Sequence, residues 1–259
     1  MRFRSLGSGS GGNATVVEAR SGTTVSRVLI DCGFSARELE RRLARAGLAL
    51  TDLNAVFVTH EHGDHVGCAL TLVRRHRLPL WTSRGTWQAM GEPLLDDGLL
   101  KLAADAVDIA IGDLRLTPFA VPHDAREPLQ LRLTDGRQHL GVLTDLGSPT
   151  PQVLDRLQGC NALLLECNHD AELLANSSYP PMLRRRIAGP RGHLDNATAA
   201  SILQACRHPG LRRLVAAHLS AQNNRPAFAQ AALACAWGSE PQDVGVADPA
   251  LGTDWITID

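Results

Sequence analysis

Residues 59–65 read Thr-His-Glu-His-Gly-Asp-His, directly behind the apolar run Ala55-Val56-Phe57-Val58. A buried strand that empties into such a loop constrains the fold, because the polar side chains must open into a cleft at the strand's end. His60 and His62 are two residues apart, so on an extended backbone their rings leave the same face. Asp64 and His65 follow where the chain bends into a helical pattern, and point at a second position nearby. Four ligand-type side chains within six residues allow one short loop to serve two metal ions. A lone histidine is more often a satisfied core or surface residue; the density is what carries the metal reading.

The 259 residues and a 44% hydrophobic fraction suffice for a sizeable core. A net charge of −1 gives no global basic field for nucleic acid, though a local patch beside a cleft would do. Nearly all the basic residues are Arg, with Lys101 the only lysine, which a codon bias explains better than selection for phosphate binding. Six cysteines stand singly, with no Cys-x-x-Cys pair, as in reduced and mostly buried thiols. The opening residues run into Gly/Ser rather than an apolar leader, and no apolar run reaches the roughly 20 residues of a membrane span. The expectation is a cytoplasmic protein without a membrane partner.

Strands are expected at 2–6, 13–19 and 27–31, with Gly/Ser turns between them. The run Ser8-Gly9-Ser10-Gly11-Gly12-Asn13 lacks the P-loop lysine and opens onto a strand, so it reads as a tight turn beside the site. Helical spacing covers 36–46 and 65–76. Strands follow at 114–121, 129–133, 139–144 and 162–166, with a helix at 151–157. The last third alternates a helix at 196–206, a strand at 213–217, a helix at 226–236 and a closing strand at 255–258. With no linker and no internal repeat, the expectation is one α/β domain over 1–259.

Further ligands belong at strand ends, where a sheet presents side chains to a cleft. His123 follows Phe119-Ala120-Val121-Pro122, Asp145 follows Leu140-Gly141-Val142-Leu143-Thr144, and His218 follows Leu214-Val215-Ala216-Ala217. Each alone reads as a turn aspartate or a surface histidine; with the upstream loop they form a set.

This set resembles the metallo-β-lactamase-fold hydrolases, in which a His-x-His-x-Asp-His loop and later His, Asp and His residues bind two metals. The resemblance implies an αβ/βα four-layer sandwich, two mixed sheets with helices outside. It also implies that His60, His62 and His123 hold one divalent ion (zinc or manganese, with iron possible). Asp64, His65 and His218 would hold the other, and Asp145 would bridge them. Asp31, ending Val28-Leu29-Ile30, matches the aspartate beneath the metal loop. Asp31, Glu166 and Asp170 are the expected acceptors behind the ligand imidazoles.

Ser8-Gly9-Ser10, Gly12-Asn13, His123-Asp124-Ala125, Thr144-Asp145, Glu166-x-Asn168-His169-Asp170, Gly192-His193 and Ala217-His218-Leu219-Ser220 are similar to the YycJ-type branch. Cys167 stands where that pattern has a Ser-like residue. The branch implies a 5′→3′ exonuclease on DNA that prefers single strands. A hydroxide bridging two metals would attack phosphorus in line. Asp64, as a ligand of that centre, and His193, by likeness to phosphodiesterases of this fold, are the expected catalytic residues. His193 would stabilise the transition state or protonate the leaving oxygen; otherwise it is a surface histidine ahead of a helix.

His169, Arg184, Arg185, Arg186 and Arg191 are candidate phosphate contacts, against a reading in which Arg184–Arg186 continue a helix from Pro181 and two of them are simply solvated. Tyr179 and Trp87 could stack on bases or pack. Two other readings stand beside the exonuclease. One is a small-substrate hydrolase of the same fold: a cyclic phosphodiesterase, a glutathione thioester hydrolase or a lactonase. The other is a non-enzymatic metal-binding regulatory module, which fits poorly with a site of more than four ligands.

Overall fold

The computed structural model describes residues 1–259. In chain order the strands are β1 (Arg2–Gly7), β2 (Ala14–Ser21), β3 (Thr24–Ile30), β4 (Ala55–Phe57), β5 (Leu80–Ser83), β6 (Leu100–Ala103), β7 (Ile109–Ile111), β8 (Leu114–Ala120), β9 (Leu129–Thr134), β10 (His139–Leu143), β11 (Ala162–Glu166), β12 (Arg213–Ala217), β13 (Gly245–Val246) and β14 (Ile256–Thr257). The helices are α1 (Ala36–Arg45), α2 (Gly63–Val66), α3 (Ala69–His76), α4 (Arg84–Ala89), α5 (Pro151–Leu157), α6 (Ala171–Ala175), α7 (Pro181–Ile187), α8 (Asn196–Cys206) and α9 (Pro226–Trp237).

Two mixed seven-stranded sheets result, in the orders β14-β1-β2-β3-β4-β5-β6 and β13-β12-β11-β10-β9-β8-β7. Each is antiparallel in one half and parallel in the other: β1–β2–β3 and β8–β9–β10 pair antiparallel, β3–β4–β5 and β10–β11–β12 parallel. The sheets meet face to face over one interior built from both, with Phe3, Val28 and Phe57 of the first against Leu116, Leu131 and Val142 of the second. Their outer faces carry helices. Leu39, Leu43 and Leu72 of α1 and α3 cover the first sheet; Val153, Ile202 and Leu233 of α5, α8 and α9 cover the second. This is the expected four-layer sandwich, and its logic is burial of each sheet on both faces. β11, Ala-Leu-Leu-Leu-Glu, is buried at every position, which only a strand sandwiched between layers requires. No helix is long and apolar enough to cross a membrane.

Local chemistry sets the helix ends. Ser35, Thr150 and Asp195 accept the third-residue amides of α1, α5 and α8. Pro151 and Pro226 occupy first turns, and Gly238, at φ 80°, ends α9. The helix expected over 65–76 is two helices, a correction with a clear cause. At Gly67 (φ 33°) the chain passes so close to Cys32 that a Cβ would stand 2.3 Å from its carbonyl oxygen. The break turns α3 onto the first sheet while α2 stays beneath the histidine loop. Strands β5, β6, β7 and β13 and helices α4 and α6 carry too few residues to show a period and went unseen in the sequence.

Glu18 on β2 is almost fully buried and gathers Arg2 at 2.8 Å, Arg20 at 3.0 Å and Arg27 at 2.7 Å. Burial alone would raise its pKa, but the three guanidiniums outweigh that and bring it from 4.5 to about 2. A depressed carboxylate stabilises the fold above its unfolded pKa and loses that contribution as pH falls through the folded one. Glu18→Gln is therefore expected to destabilise by about 2 kcal/mol at neutral pH. The gap between the two melting temperatures should close as pH falls from 4.5 toward 2. A gap of equal size at both ends would show that the charge of Glu18 contributes nothing.

Candidate metal centre

Most of the polar side chains of the site follow the C-terminal ends of strands. β3 ends before Asp31, β4 before Thr59 and His60, β8 before His123, β10 before Asp145 and β12 before His218, while Glu166 is the last residue of β11. Asp31 and His218 sit at φ 61° and 53°, left-handed conformations that let the backbone leave the strand with the side chain turned into the cleft.

The loop histidines and His123 meet as expected. His60 Nε2 lies 3.1 Å from His62 Nδ1, which lies 3.3 Å from His123 Nε2. Three nitrogens at these spacings match a shared tetrahedral cation, for which bonds of about 2.05 Å place neighbouring donors about 3.3 Å apart. Asp64 Oδ2 lies 3.6 Å from both His65 Nε2 and His218 Nε2, forming a second group. Asp145 stands between the two: Oδ2 is 3.0 Å from His65 Nε2, and Oδ1 is 3.0 Å from His218 Nδ1 and 3.8 Å from His123 Nε2. Both triads bring one donor atom per residue within 4.8 Å of one another.

Hydrogen bonds from behind assign the tautomers. A carbonyl only accepts, so His123 Nδ1–H donates to Gly192 O (3.0 Å) and His218 Nδ1–H to Thr144 O (2.8 Å). His65 Nδ1–H donates to Asp31 Oδ2 at 2.8 Å. Thr59 Oγ1 gives its proton to Asp31 (3.0 Å), which leaves it to accept from His60 Nδ1–H at 3.0 Å. All four rings therefore turn a bare Nε2 toward the cluster, the form in which imidazole binds metal. Burial foremost, then the neighbouring His65, holds His60 well below the usual histidine range, and burial brings His123 to about 4. Burial also lowers His65, but Asp145 and Asp31 outweigh it and lift the ring to about 10. His218 is raised too, since Asp145 and Asp64 outweigh burial. The acids that favour a proton there would equally favour a cation.

Asp145 offers the most direct test of fit. The residue is 1% exposed, and its Oδ2 has no hydrogen-bond partner. A buried carboxylate oxygen without a donor is costly unless a cation completes it. The donor set of imidazole nitrogens and carboxylate oxygens suits zinc, manganese and iron, so the residues fit the group.

His193, 23% exposed at its side chain, reaches the same cleft on the far side of Asp145. Its Nδ1 is 2.6 Å from Glu166 Oε1, while Glu166 Oε2 accepts the Leu146 amide at 2.7 Å. Glu166 thus orients His193 rather than a member of the two triads. Burial lowers the His193 pKa, and Glu166 more than reverses this.

The structure places several of the expected residues away from the donor cluster. Asp170 supports no imidazole; its Oδ1 accepts the Glu172 and Leu173 amides at the start of α6. His169, Arg184 and Arg185 line a different cleft, on the other side of α7. Arg191 is exposed and does not line the cluster's cleft. Trp87 is buried in the core beneath the first sheet, whereas Tyr179 does line the cleft. The arginine that faces the cluster is Arg186, whose Nε donates to Asp124 Oδ2 at 2.5 Å. Asp124 in turn lies 3.4 Å from His123 Nε2 and 3.8 Å from His62 Nε2. Of the three adjacent arginines, Arg186 alone reaches this cleft, because it shares the i, i+3, i+4 face of Leu183 and Ile187.

Asn13 and Thr59 were missed. Asn13 Nδ2 lies 3.1 Å from His65 Nε2 and 3.4 Å from Asp64 Oδ2, and Asn13 Oδ1 accepts from Ser8 Oγ and the Gly9 amide. The Gly/Ser run is thus the tight turn beside the site that its composition indicates.

Comparisons with known proteins show the family. Residues 26–219 match the family model described as "Beta-lactamase superfamily domain". The chain belongs to that superfamily and is a metal-dependent hydrolase of the metallo-β-lactamase fold. Within it, the chain is 32% identical to the exodeoxyribonuclease YycJ of Bacillus anthracis, over 89% of its own length and 86% of the relative's. It is 28% identical to the exodeoxyribonuclease WalJ of Streptococcus pneumoniae, over 100% and 93%. Among solved structures, the fold protein YhfI from Bacillus subtilis superposes with a TM-score of 0.73 at 17% identity, covering 98% of each chain. Zn(2+)-bound PqqB from Methylobacterium extorquens superposes with a TM-score of 0.73 at 16% identity, over 99% and 100%.

Proposed function

We propose that the chain, acting as one domain, is a dinuclear-metal phosphodiesterase that removes nucleotides from the 5′ end of single-stranded DNA. The observation that carries this reading is the convergence of two donor triads on Asp145 beside a histidine held by Glu166. His60, His62 and His123 would hold one divalent ion, and Asp64, His65 and His218 the other, with Asp145 between them. Such ions supply Lewis-acid charge neutralisation and lower the pKa of water.

The chain's own groups do the rest. Asp31, Thr59, Gly192 O and Thr144 O keep the imidazoles in the ligand tautomer. His193, protonated on Nδ1 toward Glu166, presents Nε2 as the group that carries a proton to the leaving oxygen. Arg186 and Tyr179 on the cleft wall offer a phosphate partner and a stacking face. The cleft, about 430 Å³, has the size of a small-molecule or nucleotide site. Two near full-length relatives named exodeoxyribonucleases support DNA as the substrate.

The test uses purified protein with Mn²⁺ or Zn²⁺ and oligonucleotides labelled at either end, single- and double-stranded, DNA and RNA. A thioester and a lactone run in parallel. Release of mononucleotides from the 5′ end of single-stranded DNA is expected. Rapid thioester or lactone cleavage with no nucleotide release would overturn the reading.

A further inference from the structure

Helix α7 separates two clefts. Leu183, Arg186 and Ile187 face the one that holds the donor cluster. Pro181, Arg184 and Arg185 face a second of about 500 Å³, whose opposite side is formed by His169, Leu174 and Asp195. The two share no residue.

We propose that this second cleft is a nucleotide subsite, which seats a base and phosphate of the same strand whose end lies in the donor cluster. The proposal rests on the nuclease reading above. His169 is only 2% exposed, yet its Nδ1 has no hydrogen-bond partner. Unpaired buried polar atoms are rare, and His169 is part of the wall of this cleft. Leu174, Pro181 and the surrounding alanines make a smooth apolar floor suited to the face of a base. At the rim, Arg184 is tied to Ala175 O, while Arg185 is exposed and its guanidinium makes no hydrogen bond.

The one acid in the lining is already used. Asp195 accepts the Thr198 amide on Oδ1 (2.8 Å) and the Thr198 hydroxyl on Oδ2 (2.9 Å), at the start of α8. An apolar floor, a bare imidazole and two cations suit a nucleotide better than an apolar peptide, which would leave the charges unmatched. The clefts are also adjacent along the chain. Asn168 lines the first and His169 the second, and both amides donate to Leu194 O, next to His193. Only α7, about 10 Å across, lies between them.

The experiment compares kcat/KM for a single-stranded decamer with that for a dinucleotide, in the wild type, Arg185→Glu and Ala175→Trp. The wild type is expected to favour the decamer by about tenfold, and both variants to lose most of that preference through KM. Should Ala175→Trp fail to fold, Arg185→Glu, an exposed change, still decides. Cleavage of both substrates with the wild-type ratio in Arg185→Glu overturns the subsite and leaves the nuclease reading standing. Cleavage of neither by any form, with a thioester or lactone turned over, removes both.

Discussion

Asp145→Asn is expected to lower kcat about a thousandfold, equivalent to about 4 kcal/mol, and to reduce bound metal from two ions per chain to one or none. The side chain keeps its size and one carbonyl oxygen. What it loses is the charge that faces both triads, with Oδ2 3.0 Å from His65 Nε2 and Oδ1 3.0 Å from His218 Nδ1. His65 and His218 compensate Asp145 within a buried cluster, so the loss also leaves cationic or bare imidazoles without their acid. Elemental analysis beside turnover separates the two effects. Two metals per chain and turnover within threefold of wild type would remove Asp145 from the centre.

His193→Ala should lower kcat by about a hundred- to ten-thousandfold while metal content stays at the wild-type value. The distinction follows from its position: His193 is bound to Glu166 and belongs to neither triad, although with Asp145, Glu166 and His218 it forms a further group of closely spaced donors. Its pH signature has a definite sign. Burial would lower the His193 pKa, but Glu166 holds it above 6.5. A proton donor with a raised pKa is competent below that pKa and loses its proton as pH rises through it. The wild-type rate should therefore fall on the alkaline side, and His193→Ala should flatten that limb. Glu166→Gln should move the limb to lower pH, because the acid that favours the charged ring is gone. Loss of metal in His193→Ala would instead make His193 a ligand.

Much of the site was legible because its signals are local. His60, His62, Asp64 and His65 lie in one loop, and the strand-end positions of His123, Asp145 and His218 follow from apolar runs that stop just before them. The regular helices and central strands carry enough residues to show a period, as 151–157, 162–166, 196–206 and 213–217 do. The short strands at the sheet edges do not. Arg184, Arg185 and Arg186 show the limit well. Adjacent in sequence, they point to opposite sides of α7, so composition puts all three near phosphate while helix phase sends only Arg186 to the cluster. Asp170 shows the same limit: next to His169 in the chain, it turns away to cap α6.

What the sequence determined by itself is the chemistry available: seven nitrogen and oxygen donors at the ends of buried strands, and a fold class able to gather them. The tertiary structure decided which partners make that chemistry work. Thr59, Gly192 O and Thr144 O fix the imidazole tautomers, Glu166 is assigned to His193, and Asn13 reaches the cluster from 52 residues away. Those choices depend on which backbone carbonyls and side chains meet when two sheets close on one interior. Such meetings are long-range and leave no period or spacing in the chain.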